Sequence, residues 1–89
     1  MKPPINIYNY VEEYHRHNDK LNREFEINEI NLGVIKSFIT PNLNDPELYS
    51  TYTIDEVTAD KINKHLSKKI SFDFNTYEYF FQRYGDYDE

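Results

Sequence analysis

The sequence predicts an α+β domain with a four-stranded, mainly antiparallel sheet and two short helices packed on one face. Three observations lead to this fold class. Apolar residues alternate with polar ones near both ends of the chain, two middle segments repeat at helical spacing, and no βα unit recurs. The expected chain order is β-β-α-β-α-β. Residues 1–89 are expected to form one domain, because a chain of this length has no room for two cores.

A β-hairpin is expected at the start, after two prolines that end a short leader. Period-2 alternation from Ile5 onward predicts the first strand. One face is expected to carry Ile5, Ile7 and Val11, and the other face Tyr8, Tyr10 and Tyr14. The polar stretch from His15 to Asn22 is expected to turn, and Arg23–Ile27 is expected to return as the second strand, with Phe25 and Ile27 inward.

Two helices and a short strand are expected in the middle of the chain. Asn31 is typical of an N-cap, and apolar residues then repeat at helical spacing from Leu32 to Thr40, where Pro41 stops the helix. The β-branched and aromatic residues of Tyr49–Ile54 predict a strand. Asp55 is expected to cap a second helix, whose apolar stripe is Ala59, Ile62 and Leu66.

The last third alternates again. Ile70, Phe72 and Phe74 predict a strand that is interrupted near Asn75 and Thr76, followed by a second strand, preferred over an aromatic helix, from Tyr77 to Gln82. In that arrangement Asp73 points away from the helices. The acidic tail from Gly85 is expected to fray.

Composition limits the class of partner. Sixteen acidic residues against ten basic ones give a formal charge of −6, which argues against nucleic acid or an anionic membrane. It favours either plain solubility or a basic protein partner. The chain has no cysteine, which predicts a reducing, cytoplasmic location. The first residues lack the apolar core of a signal peptide, and no apolar run approaches the length of a membrane span.

The sequence contains few of the residues and motifs that are typical of catalytic sites. There is no cysteine and no glycine-flanked serine, and two glycines cannot build a phosphate-binding loop, so we expect neither an enzyme nor a cofactor. His15 and His17 could in principle hold a metal together with Glu13 or Asp19. An exposed polar turn is the preferred interpretation, because zinc sites need three or four converging ligands.

Carboxylates interleaved with tyrosines point to a binding surface. Acids attract a basic partner, and tyrosines supply contact area at low entropic cost. The residues expected to contact the partner are Tyr8, Tyr10, Glu12, Glu13, Asp73, Glu78, Tyr84, Asp86 and Tyr87. No catalytic or metal-binding residue is expected.

The C-terminal third resembles a known family. Phe72-Asp73-Phe74-Asn75, then Glu78-Tyr79-Phe80-Phe81 and Gly85-Asp86-Tyr87, are similar to the closing strand of the immunity proteins of ribosome-cleaving colicins and cloacin. The segments from Asn44 to Tyr49 and from Asp55 to Leu66 look more like uncharacterised small bacterial proteins suspected of being immunity partners of polymorphic toxins. The resemblance covers about half of the chain. It implies an antiparallel sheet and inhibition of a toxin, of nuclease type, through Asp73, Glu78 and the Asp86-Tyr87 end. Tyr79 also matches the motif, with a place in the core left open as the alternative to toxin contact.

The expected function is therefore that of a bacterial immunity protein, a monomer or weak dimer, that binds and neutralises a basic toxin domain. Three alternatives stay open. A phage-encoded acidic decoy of a host nuclease would show a nearly continuous negative stripe. A metal enzyme would use His15 and His17, and a plain protein-interaction domain would have no toxin target.

Overall fold

The computed structural model describes residues 6–86, with the side chain of Asp86 outside that description. The elements follow the predicted order β-β-α-β-α-β, which confirms the α+β class. Their bounds are β1 Asn6–His15, β2 Leu21–Glu26, α1 Leu32–Ile35, β3 Tyr52–Ile54, α2 Glu56–Lys64 and β4 Tyr77–Asp86. No helix within this range is long and apolar enough to cross a membrane.

The four strands form one open sheet in the order β2-β1-β4-β3, and each neighbouring pair is antiparallel. The two ten-residue strands, β1 and β4, lie in the centre and pair along their whole length. Val11 lies opposite Phe81, and Glu12 lies opposite Phe80. Because directly opposed residues point to the same side of a sheet, this register decides which side chains share a face.

Both helices pack on one face of the sheet, as predicted. Odd-numbered residues of β1 and β4 point toward the helices, and even-numbered residues point away from them. The core consists of buried residues from all six elements or their neighbours, among them Val11, Ile27, Ile35, Ile54, Ala59, Ile62, Tyr79 and Phe81. Burying an apolar side chain of this kind contributes roughly 1.5–3 kcal/mol, so this layer supplies most of the stability.

No helix of the described residues covers the opposite side of the sheet, and we call this side the open face. It comprises the strand residues that point away from the helices, apart from Asn6 and Asp86 at the strand ends: Tyr8, Tyr10, Glu12, Tyr14, Leu21, Glu24, Glu26, Thr53, Glu78, Phe80, Gln82 and Tyr84.

The hairpin is confirmed, with β2 beginning at Leu21 and not at Arg23. A bulge between Glu13 and Tyr14 shifts the register of the β1–β2 pair. Phe25 is half-buried against the core and Ile27 is buried, so both point inward as expected.

Both predicted N-caps are present, but the first helix is shorter than expected. The side chain of Asn31 accepts the N–H of Val34 at 2.9 Å, and that of Asp55 accepts the N–H of Thr58 at 2.8 Å. The α-helical part of the first helix ends at Ile35. There the N–H and the hydroxyl of Ser37 both donate to the carbonyl of Val34, so the chain tightens into turns with i→i+3 hydrogen bonds.

The predicted strand Tyr49–Ile54 is also shorter and starts at Tyr52. The carboxylate of Asp45 accepts the N–H groups of Tyr49 and Ser50 at 2.8 and 2.9 Å. Because these donors are already used in a loop, they cannot join the ladder with β4.

The predicted strand through Ile70, Phe72 and Phe74 is wrong. The side chain of Asn63 accepts the N–H of Ile70 at 2.8 Å and donates to its carbonyl at 2.9 Å, so a side chain takes the place of a strand partner. The rings of Phe72 and Phe74 stack at 5.7 Å and both meet the edge or face of Tyr79. This segment is therefore irregular, and its aromatic side chains pack against the core.

The final strand is confirmed from Tyr77 onward. It continues beyond the predicted end at Gln82, because Gly85 and Asp86 still pair with Ile7 and Asn6 of β1. The expected fraying from Gly85 is thus wrong for Gly85 and Asp86, and Tyr87 lies outside the described residues.

Candidate functional site

The open face combines aromatic rings with carboxylates. Five of its twelve residues are aromatic: Tyr8, Tyr10, Tyr14, Phe80 and Tyr84. Four are acidic: Glu12, Glu24, Glu26 and Glu78. None of the twelve positions holds a lysine or an arginine. By contrast, four of the seven lysines lie together with acids such as Glu56 and Asp60 in α2 and the segment after it, within the helical layer: Lys61, Lys64, Lys68 and Lys69. The charged strand positions of the open face are therefore all acidic, whereas the helical layer mixes both signs.

At the centre of the open face is Glu12, which is only 3% exposed. Its two carboxylate oxygens accept hydrogen bonds from the hydroxyls of Tyr14, at 3.1 Å, and Tyr84, at 2.7 Å. No ion pair joins this carboxylate to a lysine, arginine or histidine within residues 6–86. Directly opposite on β2 lies another carboxylate, Glu24. Like charges directly opposed across two strands are destabilising, so this pair is expected to lower the folding stability of the isolated protein.

The tyrosines around Glu12 are held in place. The ring of Tyr84 meets that of Tyr10 edge to face at 5.8 Å, and the ring of Tyr14 meets that of Phe80 at 5.6 Å. The hydrogen bond to Glu12, followed by burial, raises the pKa of Tyr84. Burial, followed by the charge of Glu12, raises the pKa of Tyr14. Both hydroxyls therefore stay protonated at neutral pH and act as donors, so Glu12 is hydrogen-bonded but has no counterion among the described residues.

Glu13 does not belong to this surface, so the prediction that it contacts the partner there is wrong. Its side chain is fully buried on the helix face. It accepts hydrogen bonds from Arg23 at 3.0 and 3.2 Å, Asn22 at 2.7 Å and the Tyr79 hydroxyl at 2.5 Å. Burial acts to raise the pKa of Glu13, but these hydrogen bonds outweigh it, so the pKa is lowered and the group stays ionised. The correction follows from strand geometry, because consecutive residues point to opposite faces.

Asp73 is not on the sheet either. It lies in the turn before β4, where its carboxylate accepts the N–H of Asn75 at 3.2 Å. A hydrogen bond from the Thr76 side chain, which outweighs desolvation, lowers the pKa of Asp73. Because the segment around it has no strand partner, the alternation that would have pointed Asp73 outward does not apply.

The remaining selected residues are found as follows. Tyr8, Tyr10, Glu12, Glu78 and Tyr84 all lie on the open face, on the two central strands. The backbone of Asp86 pairs with that of Asn6 at the end of β4, and both the Asp86 side chain and Tyr87 lie outside the described part.

Seven residues of the open face were missing from that selection: Tyr14, Leu21, Glu24, Glu26, Thr53, Phe80 and Gln82. Alternation along β1 already placed Tyr14 with Tyr8 and Tyr10. Alternation along the last strand likewise grouped Phe80 with Glu78, whereas Glu24 could be added only from the strand register, which sets it directly opposite Glu12.

A shallow depression of about 340 Å³ lies on the open face beside Glu12. The side chains that line it are Tyr14, Asp19, Thr51, Glu78, Phe80 and Gln82. It thus contains two aromatic rings, two carboxylates and two neutral polar groups. Gln82 donates a hydrogen bond to the Thr51 hydroxyl, which connects β4 with the residue preceding β3.

The histidines considered as metal ligands lie in the hairpin. The rings of His15 and His17 meet edge to face at 5.4 Å. Glu13, one of the possible further ligands, points to the helix face and is held by Arg23. Among residues 6–86, no group of three or more histidine, aspartate or glutamate side chains is arranged to hold a metal ion.

Comparison with known proteins identifies a family. Residues 8–82 match the family described as Domain of unknown function (DUF7683). This match runs from β1 into β4 and includes most of the open face, and the chain belongs to this family. No curated protein and no solved structure gives a significant match to the chain.

Proposed function

We propose that this member of the DUF7683 family is a cytoplasmic immunity protein, which binds a cognate basic toxin domain through its open face and blocks the active or substrate-binding surface of that toxin. The toxin class is a nuclease. The observation that carries the proposal is a sheet face that no helix of the described residues covers, with four carboxylates, five aromatic rings and no lysine or arginine at its twelve strand positions.

Charge complementarity is the first argument. A nuclease binds phosphates with clustered lysine and arginine side chains, and such a cluster is complementary to Glu12, Glu24, Glu26 and Glu78. The lysines in and after α2 lie on the helical side of the sheet. Acids are interspersed with these lysines, whereas the open-face positions carry acids alone, and this difference would favour encounter of a basic partner with the open face.

The aromatic rings are the second argument. Carboxylates alone would suffice to imitate phosphates, whereas five rings supply apolar contact area of the kind that anchors protein interfaces. The rings of Tyr14 and Tyr84 are fixed by hydrogen bonds to Glu12, so little side-chain entropy is lost when a partner binds. This favours a protein partner and makes a decoy for nucleic-acid sites the weaker alternative.

Co-expression with the toxin encoded beside this chain's gene tests the proposal. We expect restored growth of the host, a stable one-to-one complex and loss of the toxin's nuclease activity in that complex. If the products of the neighbouring genes form no complex with the protein, the proposal fails.

A charge reversal at Glu24 is expected to separate binding from folding. Glu24→Lys should lower the association rate at low salt by about tenfold and weaken its salt dependence, because a rim charge steers encounter. The same change places a cation opposite Glu12 and should leave the thermal stability of the free protein equal or higher. Asp60→Lys, an equal reversal at an exposed position of α2, is the matched control and should leave association unchanged. Equal slowing by both variants would contradict the assignment of the open face.

A further inference from the structure

We infer that the depression on the open face is a receptor site for a single arginine side chain of the partner. This inference rests on the proposed function, and it names the chemical group that the open face recognises. The depression is lined by Tyr14, Asp19, Thr51, Glu78, Phe80 and Gln82.

The lining matches a guanidinium group in several respects. Tyr14 and Phe80 place two aromatic rings at one spot, 5.6 Å apart, and a guanidinium stacks on such rings through cation–π contact. The carboxylates of Glu78 and Asp19 supply negative charge and acceptors. Gln82 uses its amide nitrogen in the hydrogen bond to Thr51, so its amide oxygen remains an acceptor for an N–H donor.

The depression also lies next to a charge without a counterion. Tyr14 lines the depression with its ring and donates its hydroxyl to Glu12, the buried carboxylate that has no ion-pair partner among the described residues. The opposed carboxylate of Glu24 adds to the negative potential. A cation in the depression would relieve this repulsion in a partly desolvated setting, where charge interactions are stronger than in water.

Glu78 already forms an ion pair with an arginine of the same chain. Arg16 approaches from the hairpin to 3.6 Å, and the side chains of both residues are more than a third exposed. A pair so exposed to solvent contributes little, so a second guanidinium can join or replace it. Arg16 itself is anchored elsewhere, through a 2.8 Å hydrogen bond from its Nε to the carbonyl of Phe74.

An arginine is favoured over a lysine for this site. Its planar guanidinium can stack on a ring and donate to two acceptors at once, whereas an ammonium is compact and strongly hydrated. The depression offers both a stacking surface and several acceptors around it.

Titration with short peptides, followed by NMR of the backbone amides, tests the inference without any toxin. The probes are three acetylated, amidated pentapeptides, Gly-Ser-X-Ser-Gly, in which X is arginine, lysine or the neutral isostere citrulline. We expect saturable shifts at Tyr14, Glu78 and Phe80 with the arginine peptide, several-fold weaker affinity for the lysine peptide, and no saturation with citrulline. Absence of binding up to about 20 mM peptide would overturn the inference, as would an equal response to citrulline.

Two neutral variants locate the site. Glu78→Gln keeps the shape of the depression and should lower the affinity for the arginine peptide about fivefold. Glu26→Gln removes a charge from the same face outside the depression and should change affinity less than about twofold, because its effect is screened. If both substitutions lowered the affinity equally, the peptide would be attracted diffusely to an acidic surface, and a defined site would be refuted. A toxin complex without peptide binding would refute this inference alone, and peptide binding without any toxin complex would refute the proposed function alone.

Discussion

Replacement of Glu13 by glutamine is expected to lower the free energy of unfolding by about 3 kcal/mol, or about 15 °C in Tm for a domain of this size. The carboxylate is fully buried and each oxygen accepts more than one hydrogen bond. Glutamine has nearly the same shape, but its NH₂ group must replace one of these oxygens. That group would then face the donors of Asn22 and Arg23, or those of Arg23 and Tyr79. Chemical denaturation at pH 7 measures the difference.

The effect of this substitution should depend on pH. The pKa of Glu13 is lowered in the folded protein, so its stabilisation is fully present above the unfolded-state pKa of about 4.3 and is lost as the pH falls through the folded-state value. The glutamine variant has no titrating group at this position. The gap in unfolding free energy between the two proteins should therefore narrow as the pH falls below about 5. A gap that is constant or widens in acid, or a loss below about 1 kcal/mol at pH 7, would contradict the assigned role.

Two arginines provide a matched control. The side chains of Arg23 and Arg16 are 54% and 46% exposed, and each forms an ion pair. The partner of Arg23 is the buried Glu13, whereas the partner of Arg16 is the exposed Glu78. We expect Arg23→Ala to lower Tm far more than Arg16→Ala. Only the first substitution removes the ion-pair partner of a carboxylate that water cannot reach. Similar shifts for the two variants would show that the Glu13 network adds little.

Local signals made most of the fold predictable. The N-caps at Asn31 and Asp55 depend on contacts three residues away, and the alternation of β1 depends only on its own sequence. The strand expected near Ile70 failed for a non-local reason. There the side chain of Asn63 forms hydrogen bonds with the N–H and the carbonyl of Ile70. The residue pattern within the segment does not predict that contact.

The candidate site was only partly predictable for a similar reason. Alternation placed Tyr8, Tyr10 and Tyr14 together, and the period-2 pattern also put Glu13 on the opposite side with Val11. Its charge nevertheless suggested exposure, since an ionised carboxylate is seldom buried without a partner. The partners, Arg23 and Tyr79, come from two other strands, so only the assembled sheet shows that Glu13 belongs to the core and Glu12 to the open face.

Tyr84→Ala is expected to weaken the complex with the cognate toxin by about 30-fold or more, the effect of a hot-spot residue at an interface. Tyr84 is the most exposed aromatic ring of the open face, and it is fixed on one side by Tyr10 and at its hydroxyl by Glu12. A partner that covers this ring gains apolar contact without having to order it. Isothermal titration calorimetry with the purified toxin domain measures the change.

A second tyrosine of nearly equal exposure gives this prediction a control. Tyr84 is 46% exposed and Tyr49 is 43% exposed, but Tyr49 lies in the loop before β3 beneath the guanidinium of Arg83, a residue of the helix face. Tyr49→Ala should change affinity by no more than about threefold, because it lies outside the proposed interface. Tyr84→Phe keeps the ring and leaves Glu12 with the hydroxyl of Tyr14, so an intermediate loss is expected. Equal losses for Tyr84→Ala and Tyr49→Ala would mean that the toxin does not bind on the open face, whereas a selective loss at Tyr84 would locate the contact beside the carboxylate of Glu12.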